Sequence, residues 1–132
     1  MSNVAETFDA LVGGLDYPMF IVTAAAGGER EGCLVGFATQ SSIDPPRFVV
    51  CLSKNNRTYR MAKDVDSVAV HMVPEDATEL AELFGGETGV LSWLDCGDHE
   101  ALLLEPFAAH NGHGDEPFPF HRTKRIDPGH EA

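Results

Sequence analysis

The apolar residues of this chain gather in short runs closed off by glycine or proline, and that pattern constrains the fold more than any other feature. Met19 to Thr23 (MFIVT), Glu31 to Phe37 (EGCLVGF), Phe48 to Leu52 (FVVCL) and Ser67 to Val73 (SVAVHMV) are rich in β-branched and aromatic residues and too short for core helices, so they read as strands. Gly27-Gly28 between the first two predicts a hairpin. Pro45-Pro46 removes two backbone donors, which forbids helix and ladder there and predicts an extended loop after the polar stretch Thr39 to Asp44. Phe48 to Leu52 then reads as a fully buried strand. Helical spacing appears at Val4, Phe8, Leu11 and Val12 ahead of Gly13-Gly14, and in a turn or two from Arg57 to Lys63. It recurs in Ala77, Leu80, Ala81 and Phe84, opened by Glu75 and Asp76 and closed by Gly85-Gly86. Beyond Gly89 the expectations are a strand at Ala101 to Leu104, a surface loop at His110 to Glu116, and a last strand at Phe118 to Ile126. Many short strands and few helices predict a small β-barrel with helices attached.

Composition sets the frame. A chain of 132 residues fits one domain, and 43% apolar content is enough for a real core. Nine Lys and Arg against 21 Asp and Glu leave a net charge of −12, which argues against nucleic-acid or anionic-membrane binding. No apolar run approaches the roughly 18 to 20 residues of a membrane span, and the opening MSNVAETFDA lacks the marks of a signal peptide. The expected setting is cytoplasmic. Cys33, Cys51 and Cys96 are odd in number with no CxxC pair, so neither a disulfide framework nor a thiolate zinc site is expected. Cys33 and Cys51 read as small apolar fillers, and His71 as a core or interface histidine.

Two segments carry chemistry. Gly36, Phe37, Ala38, Thr39, Gln40, Ser41 and Ser42 place small residues and hydroxyls where a strand gives way to the proline-fixed loop. Unpaired amides there can bond the edge of a flat ring, hydroxyls can bond a polyol, and small residues let the ring approach. Further on, Ser53, Lys54, Asn55, Asn56, Arg57 and Thr58 offer hydroxyls, amides and cations suited to a phosphate. A flat heteroaromatic, a polyol and a phosphate together describe FMN. The bland alternative is a solvated helix face, since Arg57, Arg60 and Lys63 are three apart. His110, His113 and Asp115 form the one metal-like grouping, but a Gly-rich loop gives no rigid frame for a metal and none is expected. Phe118 and Phe120 read as packing residues.

The stretch from Pro18 to Thr58, above all GCLVGFATQSSIDPPRFVVCLSKNNRT, with Gly97-Asp98-His99 downstream, resembles the flavin reductase-like family of FMN-binding split barrels. The segment Phe84-Gly85-Gly86 and the terminal Ile126-Asp127-Pro128-Gly129-His130 are similar to family landmarks as well. The resemblance covers most of the chain. It implies a mainly β split barrel with a few short helices, one domain over residues 1–132, and a homodimer with FMN or FAD near the subunit interface. It implies hydride transfer from NADH or NADPH, and a role supplying reduced flavin to a monooxygenase. It carries the ring and ribityl contacts to Gly36 through Ser42, the phosphate contacts to Ser53, Lys54, Arg57 and Thr58, and the nicotinamide-side histidine to His99. His99 is then a positioning or proton-handling group.

The chain departs from the family between Gly89 and Asp95. Relatives carry several tens of residues there, with one or two barrel strands and a tryptophan-bearing loop; this chain has Val90-Leu91-Ser92-Trp93-Leu94. Val90-Leu91 and Trp93-Leu94 read as fragments of two different strands, which favours a missing segment near 89–95 over a minimised barrel. Two other functions stay open beside the reductase: a flavin-binding module without turnover, and an oxidoreductase using a deazaflavin.

Overall fold

The computed structural model describes residues 2–73 and 84–110. In chain order the elements are α1 (Ser2–Gly13), β1 (Phe20–Ala26), β2 (Glu29–Val35), β3 (Ala38–Ser42), β4 (Arg47–Ser53), α2 (Arg57–Ala62), β5 (Ser67–Met72), β6 (Phe84–Asp95) and β7 (His99–His110). All seven strands join one antiparallel sheet in the order β2-β1-β5-β6-β7-β4-β3. The two edge strands, β2 and β3, do not pair, so the sheet is an open barrel. It curls until β2 approaches β4, with α2 packed against β1, β2 and β4.

The core follows from period-two alternation. Phe20, Val22 and Ala24 of β1 turn inward, while Ile21 and Thr23 stay half-exposed. Val35, Val50, Leu52, Val68, Leu102, Leu104 and Ala62 of α2 complete the cluster. Each large side chain buried there contributes about 1.5–3 kcal/mol. Phe20 and Phe48 meet edge-on with ring centroids 5.3 Å apart.

The β1–β2 hairpin forms at Gly27-Gly28, whose φ values of 58° and 83° are ones that side-chain-bearing residues seldom adopt. β4 alternates rather than being buried throughout: Val50 and Leu52 face in, and Val49 and Cys51 are half-exposed on the outer face.

Three further expectations are corrected. The polar stretch after Phe37 is not a loop: Ala38–Ser42 is strand β3, joined to β4 by the tight turn at residues 43–46, in which Asp44–Pro45 is cis. Polar residues suffice because β3 is an edge strand with one face toward solvent. Second, Phe84, Gly85 and Gly86 open β6 instead of ending a helix, while Ala77, Leu80 and Ala81 lie outside the described residues. Third, Val90-Leu91 and Trp93-Leu94 share one strand. The register shifts between Val90 and Ser92, so a bulge changes the alternation and makes one strand read as two. Of the loop expected at His110 to Glu116, His110 instead ends β7, and the rest lies outside the described residues, as do the strand at 118–126 and the terminal family landmark.

Candidate functional site

Antiparallel pairing brings the start of β3, the end of β4, the entry to α2 and the β6–β7 turn to one end of the sheet. The amide of Cys51 donates to the Phe37 carbonyl at 2.8 Å, Ser53 lies opposite His99, and the Lys54 amide donates to the Asp98 carbonyl at 2.9 Å. The rings of Phe37 and His99 pack with centroids 5.1 Å apart at 49°. Phe37 is otherwise 56% exposed. Residues more than sixty positions apart in the chain thus meet at this end.

Position in the sheet makes β3 suited to a ligand. As an edge strand it leaves alternate backbone groups facing outward. Since Phe37 turns its carbonyl to β4, alternation sends the Ala38 and Gln40 amides to the open side. The Ala38 amide turns back to the Gly36 carbonyl at 3.1 Å. Thr39, Gln40 and Ser41 are exposed, and Ser41 falls in the register break between Gln40 and Ser42. Thr39 Oγ1 donates to the Gln40 carbonyl and Gln40 Nε2 to the Ser42 carbonyl, both at 3.2 Å, so these side chains brace the strand. Gly36 is small for an internal reason. A Cβ there would lie 2.8 Å from the Tyr17 ring and 3.3 Å from Met19 Sδ.

The β4–α2 loop divides the residues expected at the phosphate. Ser53, Asn56 and Thr58 are buried, Thr58 to 2% exposure. Asn56 Oδ1 caps α2 by accepting from the Tyr59 amide at 2.8 Å, and Ser53 Oγ accepts from the Asn55 amide at 3.3 Å. Burial pushes the Cys33 thiol up, opposed by hydrogen bonds from Asn56 and Thr58. The Ser53 and Thr58 hydroxyls therefore build the loop from within. Lys54 Nζ lies 2.7 Å from Asp95 Oδ1, a bond that raises the lysine pKa and lowers that of the aspartate; Gly97's amide lowers the latter further. Arg57 and Arg60 are exposed, with no ion pair among the described residues.

Sequence reasoning missed one cluster. Tyr59 Oη donates to Glu100 at 2.5 Å, and Lys63 Nζ sits 2.9 Å from the same carboxylate and 4.2 Å from the Trp93 ring centroid. Trp93 and Tyr59 meet edge-on at 5.9 Å. Tyr59 and then Lys63 hold the Glu100 carboxyl below its usual range, and Glu100 raises both partners. Only the four-residue spacing of Tyr59 and Lys63 hinted at it, because Trp93 and Glu100 come from a distant hairpin.

Elsewhere, a groove of about 650 Å³ is lined by residues of β1, β2 and β5, including Thr23, Arg30, Gly32, Ser67 and His71. It contains none of the expected site residues. His71 is half-buried, its Nε2 3.3 Å from Thr23 Oγ1. Among the described residues no three metal-ligating side chains converge, and no helix is long and apolar enough to cross a membrane.

Solved structures share this architecture. The nitrilotriacetate monooxygenase component B homologue of Mycobacterium thermoresistibile superposes with TM-score 0.78 at 16% identity, covering 99% of this chain and 91% of its own. The styrene monooxygenase flavin reductase of Pseudomonas putida S12 gives 0.74 at 18%, covering 86% and 91%. A Sinorhizobium meliloti 1021 protein gives 0.76 at 18% over 86% of this chain, which spans about half (49%) of that longer one. No curated protein sequence matches the chain. The model of the flavin reductase like domain matches residues 12–93, which takes in β1 to β5 and the whole loop from β4 to α2, and the chain belongs to that family.

Proposed function

We propose that this chain is an NAD(P)H-dependent flavin reductase that transfers hydride from NADH or NADPH to FMN or FAD. In this reading it acts as a homodimer and supplies reduced flavin to a monooxygenase. The observation that carries it is that an open strand edge, an imidazole and a cation with no ion pair among the described residues lie on elements that meet at one end of a family scaffold. The residues present fit a flavin. The segment from Gly36 to Ser42 offers the outward Gln40 amide of the β3 edge and the Ser41 hydroxyl to the ring and ribityl. Arg57, on the exposed side of the loop, offers a charge-assisted partner to the phosphate. The Ser53, Lys54 and Thr58 side chains are engaged within the protein, so their part falls to shaping the loop that presents Arg57.

A bound flavin supplies the redox chemistry, accepting hydride from reduced nicotinamide. The chain's own residues orient and shield. Phe37 gives an apolar surface beside His99, and His99 holds a nitrogen where the second substrate enters.

The test follows NADH and NADPH oxidation with and without added FMN, alongside flavin titration of the purified protein. Flavin-dependent consumption of either nucleotide is expected. No such consumption with either one overturns the reductase role. Flavin binding without turnover points instead to a binding module, and a fluorescent cofactor that is not FMN or FAD points to a deazaflavin enzyme.

A further inference from the structure

The β6–β7 turn at Cys96, Gly97 and Asp98 is exposed, yet it is heavily restrained. Within the hairpin, the Cys96 amide donates to the His99 carbonyl and the Gly97 amide to Asp95 Oδ1, both at 3.0 Å. Gly97 holds φ at 104°, which a residue with a side chain adopts only under strain. From outside the hairpin Lys54 bonds it twice, by its amide to the Asp98 carbonyl and by its ammonium to Asp95 Oδ1. Asp98 Oδ1 in turn lies 2.7 Å from His99 Nδ1, and Phe37 packs on the ring. A carboxylate accepts only, so the proton between them sits on Nδ1, which leaves the lone pair of a neutral ring on Nε2. Among the described residues Nε2 makes no hydrogen bond.

We propose that Lys54 and Asp98 are positioning residues for His99. Lys54 fixes the turn through Asp95, and Asp98 fixes the ring tautomer so that Nε2 is the atom offered to substrate. This reassigns the lysine expected at the phosphate: of the two cations expected there, the exposed Arg57 is the one with no ion pair among the described residues. The substrate-facing part rests on the reductase reading; the tautomer does not.

The experiment therefore has an arm that needs neither flavin nor nucleotide. Long-range ¹H–¹⁵N correlation spectra are recorded at mildly alkaline pH, with the His99 signal assigned by its loss in His99→Gln. The Nδ1-protonated pattern is expected in the unaltered protein and in Lys54→Arg, and its loss in Asp98→Ala. Retention of that pattern in Asp98→Ala overturns the tautomer role. In kinetics, Lys54→Met should lower kcat by roughly tenfold, as a modest misplacement of a reacting group does, with flavin Kd within about twofold and Lys54→Arg restoring the rate. Asp95→Ala removes the partner carboxylate while leaving Lys54 in place. If Lys54 acts through the turn, this variant also loses turnover. If Lys54 is a phosphate ligand, the freed ammonium tightens flavin binding and the proposal falls. Should the unaltered protein show no turnover, the reductase reading fails and the spectra alone decide the positioning of His99.

Discussion

At the scale of single residues, two side chains separate recognition from architecture. Arg57 is exposed, and no described residue pairs with its charge. Arg57→Ala should weaken FMN binding by about 1.5–3 kcal/mol, the range of a hydrogen bond to a charged group. Riboflavin, which lacks the phosphate, should bind the variant as well as it binds the unaltered chain. Titration of both flavins checks this, and an equal loss for both removes Arg57 from the phosphate. Gly36 is the converse case. Its missing side chain looked like room for a flat ring, but Tyr17 fills that room. Gly36→Ala should lower folding stability by about 1–3 kcal/mol, as overpacking does, and Tyr17→Ala in the same chain should recover part of that loss. Urea unfolding of the single and double variants measures both effects; additive losses would mean the two residues do not contend for space.

Between elements, the cluster of Tyr59, Lys63, Trp93 and Glu100 ties α2 to the β6–β7 hairpin. Glu100 and Asp95 both have carboxyl pKa values lowered in the folded chain. A depressed folded value stabilises the fold above the unfolded value of about 4 and loses that contribution as pH falls through the folded value. Thermal stability should therefore drop between about pH 5 and the low acid range, and Glu100→Gln should make that drop shallower; an unchanged acid profile in Glu100→Gln would show the carboxylate to be idle. The same scale shows what the sequence could reveal. β1, β2, β4 and β5 were legible because each is a short run rich in β-branched and aromatic residues, and glycine marks the hairpin. β3 was not, because an edge strand needs no apolar face, and β6 was masked by a bulge at Leu91 that puts apolar pairs out of phase. Arg57 and His99 keep the roles proposed for them, whereas Lys54 and Thr58 are engaged within the protein in ways the sequence did not show. Whether a cation faces a ligand or a carboxylate depends on a turn from a distant part of the chain.

For the whole molecule, the outer face beside the site carries exposed apolar side chains. Leu94, Ala101, Cys51 and Phe37 lie in one row across β6, β7, β4 and the start of β3, with Leu94 67% exposed. On α1, Val4, Phe8 and Leu11 form an exposed apolar stripe. A second copy seated on the row beside Phe37 would bury it and shelter the site, in keeping with the proposed homodimer. Charge opposes that association, since each chain carries −12. Dimerisation driven by apolar burial against like-charge repulsion should strengthen as salt rises, because going from about 0.01 to 0.1 M shortens the screening length from roughly 30 to 10 Å. Sedimentation velocity across that range should show the dimer fraction growing. Leu94→Glu, which adds a carboxylate to the row without touching the core, should yield monomers at every salt concentration and bind flavin more weakly. A Leu94→Glu protein that dimerises as well as the unaltered chain would place the interface elsewhere, with the α1 stripe tested next by Phe8→Glu.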